Sequence, residues 1–188
     1  MKDFYSRSYQ LYFVYGSDMN REQITSRCHN PEVFAVARLR NYRISFFGYS
    51  KIWDGGEECL ISAPGEDLWG VIFKLSFSDA DLLDAWQDVR LDGTGGHFLY
   101  PTEVVDTKGH CIPVLLMKRN FLGDPASPTE EYLHHIVAGA QFHALPADYI
   151  DKLKMIETKK AGFPVPKKSQ FDRAVLANLS CDCEGDDS

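Results

Sequence analysis

Over the first half of the chain, apolar and polar positions follow the period of a strand more often than that of a helix. Gln10 to Tyr15 is rich in aromatic and branched residues and stops at Gly16 and Ser17, which predicts a strand running into a turn. Tyr42 to Phe47 alternates, with Ile44 and Phe46 on one face and Arg43 and Ser45 on the other. Asp54-Gly55-Gly56 predicts a turn, Cys59 to Ser62 resumes an extended run, and Leu68 to Leu75 predicts a further strand. The period then changes. Leu82, Leu83, Trp86 and Val89 share one face at helical spacing, with Ser78 as the expected N-cap and Asp79 and Asp81 favourably placed at the positive end of the helix dipole. Gln87, four residues after Leu83, falls at the edge of that face.

Asp92-Gly93-Thr94-Gly95-Gly96 breaks the helix. Strands follow at Phe98 to Val105 and Cys111 to Lys118, joined by a hairpin turn at Asp106 to Gly109. A second helix is predicted from Glu130 to Phe142, with Leu133, Ile136, Val137 and Ala140 as its apolar stripe. A third begins near Pro146, whose missing amide suits a first helical turn, with Ile150, Leu153 and Ile156 facing the core. A short helix is expected near Phe171 to Leu179, and a mobile acidic tail after it. Many short strands preceding two helices predict an α+β domain over residues 8–158, followed by a partly flexible C-terminal extension over 159–188. Pattern alone does not choose between a barrel and an open sheet.

Composition narrows the classes. A chain of 188 residues with 44% hydrophobic and 13% aromatic content suits one domain with a sizeable core. Its formal charge of −7 disfavours a general affinity for nucleic acid or anionic membranes, both of which need a basic surface. The first residues lack the apolar core of a secretory signal, and no apolar run approaches the roughly 20 residues of a spanning helix. A cytoplasmic location is the default expectation. The five cysteines are odd in number and scattered, which favours reduced thiols. His134, His135 and His143 do not form a recognised zinc spacing, and Gly93-x-Gly95-Gly96 follows a helix, so neither a metal site nor a phosphate loop is expected. Cys181-x-Cys183 could chelate a metal but reads better as part of a loose tail.

The strand ending Tyr15-Gly16-Ser17-Asp18-Met19 offers converging backbone amides in a tight turn, a geometry suited to anions. On local grounds most such turns are only turns. Several motifs in order, however, resemble the γ-glutamylcyclotransferase or AIG2-like family. These are Tyr15-Gly16-Ser17-Asp18-Met19, Phe34 to Phe46, Trp53-Asp54-Gly55-Gly56, Leu68-Trp69-Gly70-Val71-Ile72-Phe73, and Leu83-Asp84 with Val89. Ser127-Pro128, Tyr132, Gly139-Ala140, Leu145-Pro146, Tyr149 and Leu153 extend the match, so that it runs from about Tyr12 to Ile156.

The resemblance implies a mixed β-barrel or sheet with flanking helices, no cofactor, and a small γ-glutamyl substrate or analogue as ligand. It admits a homodimer. It implies a reaction in which the α-amino group of a γ-glutamyl unit attacks its own side-chain carbonyl, releasing 5-oxoproline and an amine. The family's loop reads Tyr-Gly-Ser-Asn-Leu, so Asp18 stands where an asparagine is usual; it would repel a carboxylate or attract an ammonium. The family's proton-transferring glutamate, in Leu-Asp-x-x-Glu-Gly-Val, is Gln87 here. Gln87 cannot accept a proton at neutral pH. Asp84 and Asp88 are expected to point away from it.

The glutamine fits a natural member that lost turnover or uses another base such as His97, an engineered Glu→Gln replacement, or a one-residue shift of alignment. Tyr100 and Tyr132 are the further candidates to line the site; for Tyr132 the alternative is simple packing on the sheet. Two functions follow: a cyclotransferase, or a ligand-binding protein on the same scaffold without turnover.

Overall fold

The computed structural model describes residues 8–90 and 92–167, so the expected helix near 171–179 and the Cys181/Cys183 pair lie outside the described residues. Five strands form a closed barrel: β1 (Tyr9–Val14), β2 (Glu32–Ser50), β3 (Gly55–Ser76), β4 (His97–Asp106) and β5 (Cys111–Arg119), arranged β1-β3-β2-β4-β5. Closure comes from a parallel contact of β1 with β5 at Tyr12 and Leu115. Closing the sheet removes exposed edges that would otherwise recruit other strands.

The segments expected as three separate strands between Tyr42 and Leu75 belong to one long antiparallel ribbon of β2 and β3. Its register runs from Glu32 opposite Lys74 to Ser50 opposite Gly55. The interruption lies where Arg40 pairs Asp67 but Tyr42 pairs Ser62, so that residues 63–66 bulge opposite Asn41 alone. Asn41 adopts a φ of 63°, and its side chain accepts the Gly65 amide at 3.0 Å. Pro64-Gly65 therefore bends the ribbon without ending it.

Helix α1 (Arg21–Arg27) follows β1 through a single 3-10 turn, Ser17–Met19, and had no counterpart in the hydrophobic pattern. Helix α2 (Phe77–Trp86) follows β3 directly. Its cap is Ser76, whose hydroxyl accepts the Asp79 amide at 3.1 Å, two residues before the serine expected to serve. Helix α3 (Glu130–Phe142) buries Leu133, Ile136 and Ala140, as its stripe predicts, under a Thr129 cap. Helix α4 (Ala147–Lys154) starts just after Pro146 and buries Tyr149, Ile150 and Leu153. The core is one continuous cluster that runs from Tyr12, Phe13 and Phe73 in the barrel to Ile136 and Leu153 on the helices. Each such fully buried side chain contributes roughly 1.5–3 kcal/mol. Beyond α4 the chain returns beside Trp53, with the Lys167 amide on the Ile52 carbonyl at 2.8 Å. Among the described residues no helix is long and apolar enough to cross a membrane.

Candidate active site

The loop after β1 is fixed from below before anything can bind above it. Met19 is fully buried, and its carbonyl accepts from His143 Nε2 at 3.0 Å. Gly139 on α3 permits this approach, since a Cβ there would lie 2.6 Å from the Met19 carbonyl carbon. Asn20 then caps α1 by accepting the Glu22 amide at 2.9 Å. Tyr15 is buried, and its hydroxyl donates to the Met117 carbonyl at 3.4 Å. Burial, with Glu58 nearby, pushes its phenol well above the usual range.

Helix α2 delivers Gln87 to this loop by stopping earlier than its apolar face predicts. The helix ends at Trp86, and Gln87 is its C-cap. The Val89 amide bonds the Asp84 carbonyl at 2.9 Å and the Asp88 amide the Ala85 carbonyl at 3.2 Å, while Asp88 takes a left-handed φ of 49°. This is a Schellman ending with aspartate where glycine is the usual residue. The turn carries Asp88 to the wall of the same cleft as Gln87, contrary to the expectation that it points away. Its Oδ2 accepts the Gly96 amide at 2.9 Å, which with Arg90 holds its pKa below the usual carboxylate range. Asp84 does turn elsewhere, accepting from the Tyr12 hydroxyl at 3.0 Å. Burial raises its pKa to about 6.

Gln87 Nε2 donates to Asp18 Oδ2 at 2.8 Å. The carboxylate can only accept, so the amide nitrogen must face it. The other Asp18 oxygen pairs with Arg27 of α1, and both side chains are almost wholly buried. The Arg27 guanidinium lies 4.6 Å over the Trp86 ring, which ties α1 to α2. Asp18 is therefore committed to Arg27 and Gln87, so the loop presents little net charge of its own to a ligand.

A second carboxylate reaches the loop from β3. Glu58 Oε1 accepts the Ser17 amide at 3.1 Å and the Ser17 hydroxyl at 3.3 Å. It lies so close over Gly16 that a side chain there would have to displace the Glu58 carboxyl. The Glu58 amide in turn donates to the Tyr132 hydroxyl at 3.4 Å. Tyr132 itself stacks on Trp53 at 4.3 Å and 13°. Glu58 Oε2 is shut off from solvent and has no hydrogen-bond partner among the described residues. Burial, followed by the charge of Glu57, raises the Glu58 pKa to about 7; the Ser17 amide and Arg27 act in the opposite direction.

Two cavities open on these groups. One of about 50 Å³ is bounded by Tyr15, Gly16 and Asp18 of the loop and by Leu83 and Met117. Another of about 230 Å³ is bounded by Ser17, Arg27, Trp53, Trp86, Asp88 and Tyr132. Glu57, Glu58, Gln87 and His97 line both. His97 Nδ1–H donates to the Gln87 carbonyl at 2.8 Å, which in the neutral ring leaves Nε2 as an acceptor.

Of the residues singled out from the sequence, Tyr15, Gly16, Ser17, Asp18, Gln87 and Tyr132 converge here, with His97 beside them. Met19 lies beneath the loop as its anchor. Tyr100 does not join them. It stands three residues from His97 on β4, hence on the opposite face, exposed and with Lys118 Nζ 5.1 Å over its ring. Glu58 and Arg27 were not singled out. An acidic pair in a strand bounded by apolar residues carries one usable signal, since alternation turns one of Glu57 and Glu58 inward.

Comparison with known proteins places the chain by family and fold. Residues 67–153 match the AIG2-like family. The chain is 32% identical over 152 residues to a human protein named Gamma-glutamylcyclotransferase and 31% identical to the mouse protein of that name, each alignment covering 78% of both chains. A solved structure named Gamma-glutamyl cyclotransferase superposes with a TM-score of 0.77 at 28% identity, covering 90% of this chain and 99% of that one. A human protein structure described as uncharacterized gives 0.78 at 27% identity, covering 91% and 99%.

Proposed function

The chain belongs to the gamma-glutamylcyclotransferase family, and on that premise we propose that its cleft binds a small γ-glutamyl compound and closes the γ-glutamyl unit on itself, releasing 5-oxoproline and an amine. The observation that carries this reading is the hydrogen bond from Gln87 to Asp18, which joins the helix motif and the loop motif at one cavity. Ring closure is intramolecular, so the protein's task is to fold the substrate, move protons from the attacking to the leaving nitrogen and stabilise the developing oxyanion. In this reading Tyr15 to Met19 form the binding loop, Tyr132 the opposite wall, and Gln87 an orienting amide.

The α-amine arrives mostly as an ammonium at neutral pH and must lose a proton before it can attack. Gln87 cannot take that proton. This favours a second reading, a protein that holds a γ-glutamyl ligand without turning it over. The deciding experiment incubates the full chain and a Gln87→Glu variant with γ-glutamyl amino acids and measures 5-oxoproline. Release by the unmodified chain supports the cyclotransferase reading. Release by Gln87→Glu alone, with ligand bound by both, supports the binding protein. Neither binding nor release by either form removes both.

A further inference from the structure

We propose that Glu58, rather than any residue of α2, is the group that moves the proton in this cleft. The proposal rests on the cyclisation reading above. It starts from the placement of charge. Among the groups that line both cavities, Gln87 is neutral and Glu57 pairs with Arg119 at 3.4 Å. Asp18 is spent on Arg27 and Gln87. Asp88 is held by Gly96 and Arg90. Glu58 differs from all of these. It is fixed at one oxygen by Ser17, positioned through its own amide by Tyr132, and its other oxygen is buried without a partner among the described residues.

A buried acceptor with no donor is costly to maintain, and it marks a place where an incoming donor is missing. An ammonium meets that need in charge as well as in hydrogen bonding. His97 Nε2 could also accept a proton, but a neutral imidazole adds no attraction for an ammonium, whereas a carboxylate does both.

The step balances without a further reactant. The ammonium gives one proton to the Glu58 carboxylate, and the freed amine nitrogen forms a bond to the γ-carbonyl carbon, leaving a positive ring nitrogen beside an oxyanion. Glu58 passes its proton to the leaving nitrogen as the oxyanion collapses and the bond from the carbon to that nitrogen breaks, and the surplus proton on the ring nitrogen then moves through Glu58 to the released amine. The carboxylate is restored, and 5-oxoproline and the amine leave. A carboxyl whose pKa lies at about 7 is suited to both transfers, because neither protonation state is strongly preferred near neutral pH.

The test is steady-state 5-oxoproline release from a γ-glutamyl amino acid by the full chain, by Glu58→Gln and by Glu58→Asp, with calorimetric binding of the same compound in parallel. The expected result is turnover by the unmodified chain and a kcat about 10²–10⁴-fold lower in Glu58→Gln. Binding weakens by much less than the rate falls, and Glu58→Asp recovers part of both. Turnover by Glu58→Gln within about tenfold of the unmodified chain overturns the role of Glu58 and leaves the cyclisation reading intact. Binding without turnover by the unmodified chain overturns it in favour of a binding protein. Absence of both binding and turnover removes the cyclisation reading itself. Should Glu58→Gln fail to fold, the unmodified chain decides: a rate that does not rise between about pH 6 and 8 overturns the proposal.

Discussion

At the end of α2, Gln87 meets Asp18 with a neutral amide, and Asp18 gives its other oxygen to Arg27. On β3, Glu58 meets Ser17 with a carboxylate that keeps one oxygen unpartnered. Both elements reach the same loop within four residues of sequence, Gly16 to Met19, and line the same two cavities. The helix side is a closed network in which every charge has a partner. The strand side holds a charge whose pairing is incomplete. The first kind of contact fixes geometry and the second leaves something for a ligand to complete, so the chemistry is placed on the strand and the scaffold on the helix.

The largest effect that would break this contrast is on rate. Glu58→Gln is expected to lower 5-oxoproline release by about 10²–10⁴-fold, whereas His97→Asn costs less than that, read from kcat under saturating substrate. Next comes the helix-side network. Arg27→Met leaves the buried Asp18 carboxylate without its cation and is expected to cost about 3–5 kcal/mol of stability by denaturant unfolding. A loss below about 1 kcal/mol would show that the network is not the closed unit described here.

The strand side makes a prediction of opposite sign. Glu58 titrates at about 7 in the folded chain against an ordinary value of 4.5. Between those values the folded state holds a proton that the unfolded state has released, so stability falls as pH rises through this window and levels off above it. Glu58→Gln removes that penalty. Its advantage over the unmodified chain is expected to grow from near zero at about pH 4.5 to about 3 kcal/mol by pH 8. Parallel stability curves for the two proteins would contradict it.

The smallest effect returns to α2. Gln87→Glu alone sets two carboxylates at hydrogen-bond distance and removes a donor, at a cost of about 1–3 kcal/mol. Adding Asp18→Asn is expected to recover most of that loss, as measured by thermal unfolding. A Gln87→Glu variant as stable as the unmodified chain would mean that the Asp18–Gln87 contact carries no energetic weight.

How far these features could be read from the sequence differs along the chain. Helix α3 was legible because Leu133, Ile136 and Ala140 form an unbroken stripe behind a Thr129 cap. The end of α2 was not, because Val89 continues the apolar spacing while the backbone stops at Trp86, and only the left-handed turn at Asp88 explains it. The long β2–β3 ribbon read as separate strands because Pro64-Gly65 looks like a terminator, although the pairing resumes on its far side. Helix α1 is seven residues long with Ile24 as its one buried apolar side chain, too little for periodicity to register.

At the site, resemblance singled out Asp18 and Gln87 but not their contact. The resemblance gives asparagine and glutamate at those positions, so here amide and carboxylate are exchanged between two residues that one hydrogen bond joins. Glu58 escaped because consecutive glutamates after a Gly-Gly turn look like solvated surface. Its contact with the Gly16–Ser17 turn joins positions 41 residues apart, from Ser17 to Glu58, which no local pattern relates.

The most direct measurement of whether Glu58 carries the proton is the pH dependence of kcat/KM for 5-oxoproline release, in the unmodified chain and in Glu58→Gln. The expected profile for the unmodified chain rises as pH passes through about 7, where the Glu58 carboxyl ionises, and that rise is absent from the residual activity of Glu58→Gln. The same rise at the same pH in both proteins would contradict the account, because the titrating group would then lie elsewhere in the cleft.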